Sequence, residues 1–328
     1  MTNILAGNYL ILGSTGLIGT HILLKLKDVK GVKVKAIYNR RKPFISAKNI
    51  EYVQADLRDR KACTPLMNEI DFVFLNAGIL ATSPVLAKNP ISPILSNLSI
   101  YTNCLEAAYR ENVKKLVFLS STTGYPEFNG ALKEEQMFDG NPPDSWYFIG
   151  WMTRFVETQC RTYAEKLDPK ITIIVLRPTM VYGEYDNFSL EDAHFFPALI
   201  RRVVERQNPI EVWGNGEQQR DLVYAGDLID AGFAALEKIQ GFDYFNIAFG
   251  ESYTINFLLA KMTSIDGFHN VKINHLANKP STVSKRFISG EKAKIKLGFS
   301  PKVSIEEGIR KTISWYRQSR KTNAGMTN

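Results

Sequence analysis

The first half of the chain alternates short apolar runs with longer amphipathic stretches, and this alternation constrains the fold more than any other feature. Residues 8–12, 32–38 and 50–54 have the length and apolar content of buried strands, whereas 17–27 has the spacing of a helix. Strands that alternate with helices form βαβ units, and such units assemble into a parallel sheet. The sequence therefore predicts an α/β protein with a Rossmann-like, doubly wound parallel sheet.

Later segments extend the same pattern and then change character. Strands are predicted at 71–75, 115–120 and 171–176, and helices at 98–111 and 145–166. After Pro178 the chain becomes turn-rich, which marks a smaller C-terminal α/β domain that would bind the substrate. The predicted divisions are a dinucleotide-binding domain at 1–178 to which 221–249 returns, a substrate-binding domain at 179–220 and 250–319, and a tail at 320–328.

The net charge of +8 on 328 residues is concentrated in two places. Residues 21–50 carry nine basic and one acidic side chain, and residues 281–328 carry eleven basic and three acidic ones, so each segment sums to +8 and the remainder to −8. The two local excesses on a mildly acidic body are better explained by small-phosphate sites than by a nucleic-acid footprint. We therefore expect no nucleic-acid partner and look for small phosphate ligands near these two segments.

Composition also bounds the class of protein. An apolar content of 45% fits a soluble globular chain. Three cysteines in no C-x-x-C pattern suit a reducing compartment and predict neither disulfides nor a metal site. No apolar run approaches the roughly 18 residues of a membrane span, and no signal peptide is evident. A cytoplasmic location without membrane association is expected.

A glycine-rich turn joins the first predicted strand to the first predicted helix. Glycines permit a tight turn and a close approach of the backbone to a pyrophosphate, which then lies against free N–H groups at the helix N-terminus. In this context the turn predicts a dinucleotide site formed by Gly13, Ser14, Thr15, Gly16, Leu17, Ile18 and Gly19.

The end of the second strand predicts which dinucleotide binds. An NAD site usually has an acidic residue there for the ribose 2′-hydroxyl, whereas arginine accommodates the 2′-phosphate of NADP. The chain has Asn39, Arg40 and Arg41 at this point. NADP, as NADPH, is therefore the expected cofactor.

The G-x-x-G-x-x-G spacing of the turn resembles the extended short-chain dehydrogenases/reductases, the branch that modifies sugar nucleotides. Four segments, at 176–188, 192–202, 212–216 and 220–224, are similar to the GDP-L-fucose synthases, NADPH-dependent epimerase/reductases of a 4-keto-6-deoxy nucleotide sugar. The resemblance covers nearly the whole chain and implies further cofactor contacts. These are an adenine contact at Asp56 and Leu57 and a ribose turn at Asn76 and Ala77.

The same resemblance implies catalytic residues. Ser121 matches the serine of an S-S-x-x-x-Y motif, and Tyr147 matches the tyrosine of Y-x-x-x-K, which would also contact the cofactor. Serine can stabilise the oxyanion that forms during hydride transfer, and tyrosine can protonate it. The lysine position holds Trp151, which carries no charge. Arg154, three residues further on, is either a distant replacement for the lysine or a surface residue.

Substrate contacts follow from the resemblance as well. His194 takes the place of the histidine of the epimerisation pair, but its cysteine partner is replaced by Thr123 and an asparagine of the sugar pocket by Met180. The nucleotide-sugar diphosphate would be bound by basic side chains, since guanidinium groups pair well with phosphate. The substrate-binding residues implied are Thr123, Arg202, Trp213, Arg220, Lys285 and Arg286.

Two hypotheses remain open on this sequence. The first is an oxidoreductase, with or without isomerase activity, that uses NADPH to reduce a 4-keto-6-deoxy nucleotide sugar for polysaccharide or O-antigen synthesis. The second is a catalytically impaired protein that binds NADP(H) and a nucleotide sugar, which Trp151 favours. The resemblance also implies a homodimer formed by paired helices.

Overall fold

A seven-stranded parallel sheet forms the centre of the protein in the computed structural model, which describes residues 3–79, 85–86, 89, 91–128, 130–276 and 287–321. Its strands are β1 (Gly7–Leu12), β2 (Val32–Tyr38), β3 (Ile50–Gln54), β4 (Phe72–Leu75), β5 (Lys115–Leu119), β7 (Thr172–Pro178) and β11 (Phe242–Ile247). Their order is β11-β7-β5-β4-β1-β2-β3. The order reverses direction beside β1, as it does in doubly wound sheets. The predicted fold class is confirmed.

Helices cover both faces of this sheet. They are α1 (Leu17–Leu26), α2 (Arg60–Leu66), α3 (Ile91–Arg110), α4 (Tyr147–Glu165), α6 (Ala225–Lys238) and α8 (Glu291–Leu297). Because side chains alternate along a strand, Tyr9 and Ile11 pack on one side against α1 and α6, while Leu10 and Leu12 belong to the cluster that includes α3 and α4. All four of these strand residues are fully buried.

The second half of the chain builds a smaller region around its own apolar core. Its helices are α5 (Phe195–Val204), α7 (Ile255–Asp266) and α9 (Ile305–Lys321). A three-stranded sheet joins β8 (Met180–Tyr182), β10 (Gln219–Tyr224) and β12 (Ser252–Thr254). Two short parallel pairs complete it, β9 (Ile210–Trp213) with β13 (Ile273–Leu276) and β6 (Ala131–Leu132) with β14 (Phe287–Ile288).

The chain crosses between the two regions more than once. Residues 225–249 return to the large sheet, because α6 packs on it and β11 pairs with β7. Residues 221–224 belong to β10 of the three-stranded sheet. The segment 250–319 does not stay in one region either, since Ala293 and Leu297 of α8 are buried in the core of the large sheet. No helix within the described residues is long and apolar enough to cross a membrane.

Candidate active site

The glycine turn lies between β1 and α1, at the carboxyl edge of the large sheet. Gly13 has a φ of +89°, and a Cβ on this residue would lie 2.7 Å from the Cα of Ala77. A Cβ on Gly19 would overlap the carbonyl oxygen of Gly13. By contrast, a Cβ on Gly16 would have its nearest neighbour 3.8 Å away, so this position is open. The turn thus needs glycine for folding at two positions, and Gly16 faces free space.

The remaining residues of the turn fix its shape and leave donors available. Ser14 is buried and donates from its hydroxyl to the carbonyl of Ile37 at 2.9 Å, and Thr15 is also buried. Gly16 is the N-cap of α1 and provides no side chain to the N–H groups of the first turn, which Leu17 and Ile18 begin. Such a helix end attracts phosphate through its free N–H groups and its dipole.

Asn76 provides a second indication that a ligand fits here. Its amide donates to the carbonyl of Gly13 at 2.9 Å, while its Oδ1 is buried and accepts no hydrogen bond from the described residues. A buried acceptor without a donor is costly and is rare in folded proteins. A hydroxyl of a bound dinucleotide would supply the missing donor, so the residues present fit such a cofactor.

The structure separates the two arginines predicted to meet the 2′-phosphate. Asn39 and Arg40 are exposed after β2. Arg41 is half-buried, and its guanidinium donates to the backbone carbonyls of Tyr185 and Asp186 at 3.2 and 3.3 Å. Since those donors of Arg41 are used within the protein, Arg40 is the arginine that remains open to a ligand.

Asp56 lies beside Arg40 and is strongly acidic. Hydrogen bonds from Arg58, together with the charges of Arg58 and Arg40, lower the pKa of Asp56 to about 2. The neighbouring Leu57 is buried, and its carbonyl accepts from the amide of Asn103 at 3.1 Å. A carboxylate is therefore held ionised at the end of the site where the adenine contact was predicted.

Ser121 begins the turn that follows β5. Its hydroxyl oxygen accepts a hydrogen bond from the N–H of Thr123 at 3.1 Å and caps a short 3-10 helix, Thr122–Gly124. Its O–H has no acceptor within the described residues, so the proton is available to a ligand. The side chain thus lies at the sheet edge in a fixed position with a free donor.

Glu157 determines which face of α4 meets this turn. Its carboxylate accepts from the hydroxyl of Ser120 at 2.5 Å and from the guanidinium of Arg177, on β7, at 2.6 to 3.1 Å. One helical turn earlier, the Oγ1 of Thr153 lies 3.5 Å from the Oγ1 of Thr123. One turn earlier again, Ile149 is buried. The inward face of α4 therefore presents isoleucine, threonine and glutamate in steps of four residues.

Tyr147 and Trp151 lie on another face. Each residue of an α-helix turns by about 100°, so Tyr147 and Ile149 point in directions about 160° apart. Tyr147 is 37% exposed and Trp151 41%, and the two rings contact each other edge to face. This face also meets the Ser121 turn, because Arg154, seven residues after Tyr147, donates to the carbonyl of Gly124 at 2.8 Å, and a Cβ on Gly150 would lie 2.8 Å from the carbonyl oxygen of Thr123. The pairing of Tyr147 with Ser121 stays a prediction.

Arg154 is neither a surface residue nor a cation open to the cofactor. It is 2% exposed, and it donates to the carbonyls of Gly124 and Gly140 at 2.8 and 2.6 Å. Its guanidinium also lies over the ring of Trp151, 4.7 Å from the centroid. Arg154 therefore fastens two loops to α4, and Trp151 packs on it.

The predicted substrate residues lie in the smaller region. His194 is the N-cap of α5, and burial lowers the pKa of its imidazole. Arg202, at the other end of α5, donates to the carbonyl of Glu211 at 3.1 Å, while its Nε is buried and has no acceptor within the described residues. Burial also lowers the pKa of Arg202 and of Arg220 on β10. Trp213 ends β9 and is 40% exposed. Lys285 and Arg286 lie outside the described residues.

A sequence model of the NAD dependent epimerase/dehydratase family matches residues 9–248, which include both the glycine turn and the Ser121 turn. The chain belongs to this family. The resemblance to the extended short-chain dehydrogenases/reductases and to the GDP-L-fucose synthases is confirmed.

Individual relatives match this chain over nearly its full length. The putative GDP-L-fucose synthase 2 of Arabidopsis thaliana is 28% identical over 94% of this chain and 91% of its own. The GDP-L-colitose synthase of Yersinia pseudotuberculosis is 26% identical over 94% and 97%. Among solved structures, the UDP-glucose 4-epimerase of Thermotoga maritima with UDP-glucose superposes with a TM-score of 0.84 at 25% identity, over 95% and 99%.

Sequence reasoning missed Glu157 and Arg177, which hold α4 beside the Ser121 turn through Ser120 and β7. The signal was present in α4, where Ile149, Met152 and Val156 recur at helical spacing and mark the buried face next to Glu157. Within the described residues no group of three or more metal-binding side chains is placed to hold a metal ion.

Proposed function

We propose that the protein is an NADPH-dependent reductase, or combined epimerase and reductase, of a nucleotide sugar with a 4-keto-6-deoxy hexose. The observation that carries this proposal is the meeting of the glycine turn, Asn76 and Ser121 at one edge of the sheet, where β1, β4 and β5 end. Ligands of doubly wound proteins bind at the carboxyl ends of the strands, next to the point where the strand order reverses. The names of the relatives, GDP-L-fucose synthase and GDP-L-colitose synthase, support the substrate class.

Each half of the cofactor has candidate partners. The N-terminus of α1 binds the pyrophosphate, and the Oδ1 of Asn76 accepts a hydroxyl. Arg40 contacts the 2′-phosphate that distinguishes NADPH from NADH, and it has the exposure that this role requires. When bound, the reduced dinucleotide would supply a hydride to the sugar.

Ser121 acts on the sugar oxygen. The backbone N–H of Thr123 holds its hydroxyl oxygen, so its proton is directed to an external acceptor. A donor fixed in this way stabilises negative charge on the ketone oxygen without rearrangement during the reaction. Thr123 lies beside it and contributes shape and a hydroxyl in place of a thiol.

The diphosphate of the sugar nucleotide is bound by the smaller region. The Nε of Arg202 is a buried donor that lacks an acceptor within the described residues, and a phosphate oxygen would satisfy it. Arg220 and Trp213 lie on neighbouring elements, and Lys285 and Arg286 complete the proposed set. His194 is neutral at pH 7 because burial lowers its pKa, so it can accept a proton from the sugar in an epimerisation step.

A second function is favoured by a specific observation, the uncharged Trp151 at the lysine position together with Arg154, which is buried and bonded to backbone carbonyls. A protein that binds the dinucleotide and the nucleotide sugar without turnover needs no free cation beside Tyr147. Such a protein would regulate or assist a competent relative. This alternative predicts tight binding of both ligands and no consumption of NADPH.

The proposal includes a homodimer. Several apolar side chains of α3 and α4 are exposed by more than half, namely Ile91, Leu95, Phe148 and Phe155. Exposed apolar side chains grouped on neighbouring helices are typical of interfaces. Light scattering coupled to gel filtration is expected to give twice the mass of the chain, and Phe148→Asp with Phe155→Asp should give a monomer.

One assay separates the two functions. The protein is mixed with NADPH and a freshly generated 4-keto-6-deoxy hexose linked to GDP or CDP, and the absorbance of the reduced cofactor is followed. Consumption of NADPH that depends on the sugar supports the reductase. Binding of NADPH by fluorescence without any consumption would reject the reductase and support the binding protein.

A further inference from the structure

Arg154 carries a buried positive charge that no carboxylate pairs with in the part of the chain that the structure describes. Its guanidinium is 2% exposed, and its hydrogen bonds go to backbone carbonyls. We propose that this charge acts on the phenol of Tyr147 through the ring of Trp151, which makes Arg154 a positioning residue of the reaction. The inference rests on the proposed reductase function, with Tyr147 as its proton donor.

A buried cation without an ion pair is unusual. Charged side chains are almost never fully buried unless they are paired, because removing a charge from water carries a large free-energy cost. The hydrogen-bond partners of Arg154 are the neutral carbonyls of Gly124 and Gly140, and burial lowers its pKa. Arginine nevertheless stays protonated in proteins. A neutral amide could bond to a carbonyl as well, so anchoring alone does not account for a cation at this position.

The aromatic contacts of Arg154 lead toward Tyr147. Seven residues of an α-helix make almost two full turns, so Tyr147 and Arg154 lie on the same face of α4. The guanidinium lies over the ring of Trp151, 4.7 Å from its centroid, and that ring contacts the ring of Tyr147 with centroids 6.5 Å apart. The ring of Phe138 lies 5.4 Å from the guanidinium. The indole is therefore in contact with both the charge and the phenol.

Other charged groups near this face leave the charge of Arg154 unpaired. Glu157, three residues further along α4, attracts the guanidinium, but its carboxylate is bonded to Arg177. Asp139 and Asp144, on the segment before α4, are exposed, so solvent and salt screen them. The field of Arg154 is thus directed to its aromatic neighbours and to the turn that it contacts.

The proposed step balances as a reduction. The ketone carbon accepts a hydride from the reduced dinucleotide, which becomes oxidised. The O–H bond of Tyr147 breaks as a new O–H bond forms on the sugar oxygen, and the phenolate later regains a proton from water. A unit charge acting over about 10 Å at an effective dielectric constant of about 20 changes an equilibrium that forms the opposite charge by roughly tenfold. Arg154 therefore contributes without touching the substrate or the cofactor.

Titration of Tyr147 in the free protein tests the inference without turnover. Tyrosines labelled with ¹³C at Cζ are followed by NMR, and the signal that is missing from Tyr147→Phe identifies this residue. The midpoint of its titration should lie about one pH unit higher in Arg154→Gln than in the wild type. Arg154→Lys keeps the charge and should keep the wild-type midpoint. The matched control is Arg161→Gln, since Arg161 lies on the same helix and is largely exposed.

Turnover gives the second readout. In Arg154→Gln the kcat should fall about tenfold, and the decline of the rate at high pH should move upward by the same one pH unit. Loss of an anchor alone would lower the rate at every pH and leave that decline in place. The double variant Trp151→Lys with Arg154→Gln should regain most of the rate, because it returns a cation to the neighbourhood of Tyr147.

Thermal melts establish which variants fold. If Arg154→Gln does not, Trp151→Ala changes a residue that is 41% exposed, lets water reach the space between the guanidinium and the phenol, and should also raise the midpoint. An unchanged midpoint in the folded variants overturns the inference, and the reductase function stands if the wild type turns over. If the midpoint rises but the wild type consumes no NADPH, the proposed function fails, and with it the role of Arg154 in the reaction.

Discussion

Glu157 and Arg177 form a bidentate ion pair in which the two side chains are only 4% and 2% exposed. The same carboxylate accepts from Ser120, directly before Ser121. One buried carboxylate therefore connects α4, β5 and β7 and fixes the rotation of α4 about its axis. The buried positions of Thr153 and Ile149, one and two helical turns earlier, follow from this contact.

The ion pair should be essential for stability. Glu157→Gln leaves the guanidinium of Arg177 buried without a counter-charge, and breaking a buried pair in this way costs about 3–5 kcal/mol. Urea unfolding followed by circular dichroism measures the change. Glu165→Gln on the same helix is the control, because its pair with Arg161 is largely exposed and should contribute about 0.5 kcal/mol or less. Equal stability of the two variants would contradict the assignment.

Substitutions in the glycine turn should separate an effect on cofactor binding, at Gly16, from an effect on folding, at Gly19. Gly16→Ala fits the free protein, since its Cβ has no neighbour closer than 3.8 Å, and it should change the free energy of unfolding by about 1 kcal/mol or less. The added methyl lies where the pyrophosphate approaches, so NADPH affinity should fall by at least about tenfold. Gly19→Ala should instead destabilise the fold, because its Cβ overlaps the carbonyl of Gly13. Fluorescence titration and thermal melts distinguish the two, and unaltered NADPH binding by Gly16→Ala would count against the site.

Arg40 and Arg41 should differ in what their loss affects. Arg40→Ala removes the exposed partner of the 2′-phosphate, and a charge-assisted hydrogen bond contributes about 1.5–3 kcal/mol, or roughly 10- to 100-fold in affinity. NADPH binding should weaken by that factor while NADH binding stays unchanged. Arg41→Ala should mainly lower stability, since it releases the carbonyls of Tyr185 and Asp186. Equal losses for NADPH and NADH in Arg40→Ala would reject the 2′-phosphate contact.

Asp186 should make stability depend on pH. Burial raises its pKa to about 7, so the folded protein holds a proton that the unfolded chain releases near pH 4. The folded state thus binds more protons between these values, and stability should decrease as the pH rises from about 4 to 7 by about 3 kcal/mol. Asp186→Asn should remove this decrease and be more stable than the wild type at pH 8. A variant with an unchanged pH profile would show that Asp186 is ionised in the fold.

Much of the fold, and the position of the glycine turn between β1 and α1, could be predicted from the sequence. The strands Val32–Tyr38 and Ile50–Gln54 and the helix start at Leu17 agree with the structure, because apolar periodicity and a glycine turn are local signals. The rotation of α4 depends on contacts that are distant in sequence, such as Glu157 with Arg177 and Ser120. Motif spacing around Tyr147 could not reveal them.

The proposed function depends on hydride transfer between a nicotinamide cofactor and a nucleotide sugar at this edge of the sheet. The most direct measurement uses NADPH carrying deuterium at either face of the nicotinamide C4, with the 4-keto-6-deoxy nucleotide sugar, and weighs the sugar product by mass spectrometry. One deuterium is expected on the sugar from one of the two labelled cofactors and none from the other. A nucleotide sugar recovered unreduced and without deuterium from both cofactors, while NADPH binds, would contradict it.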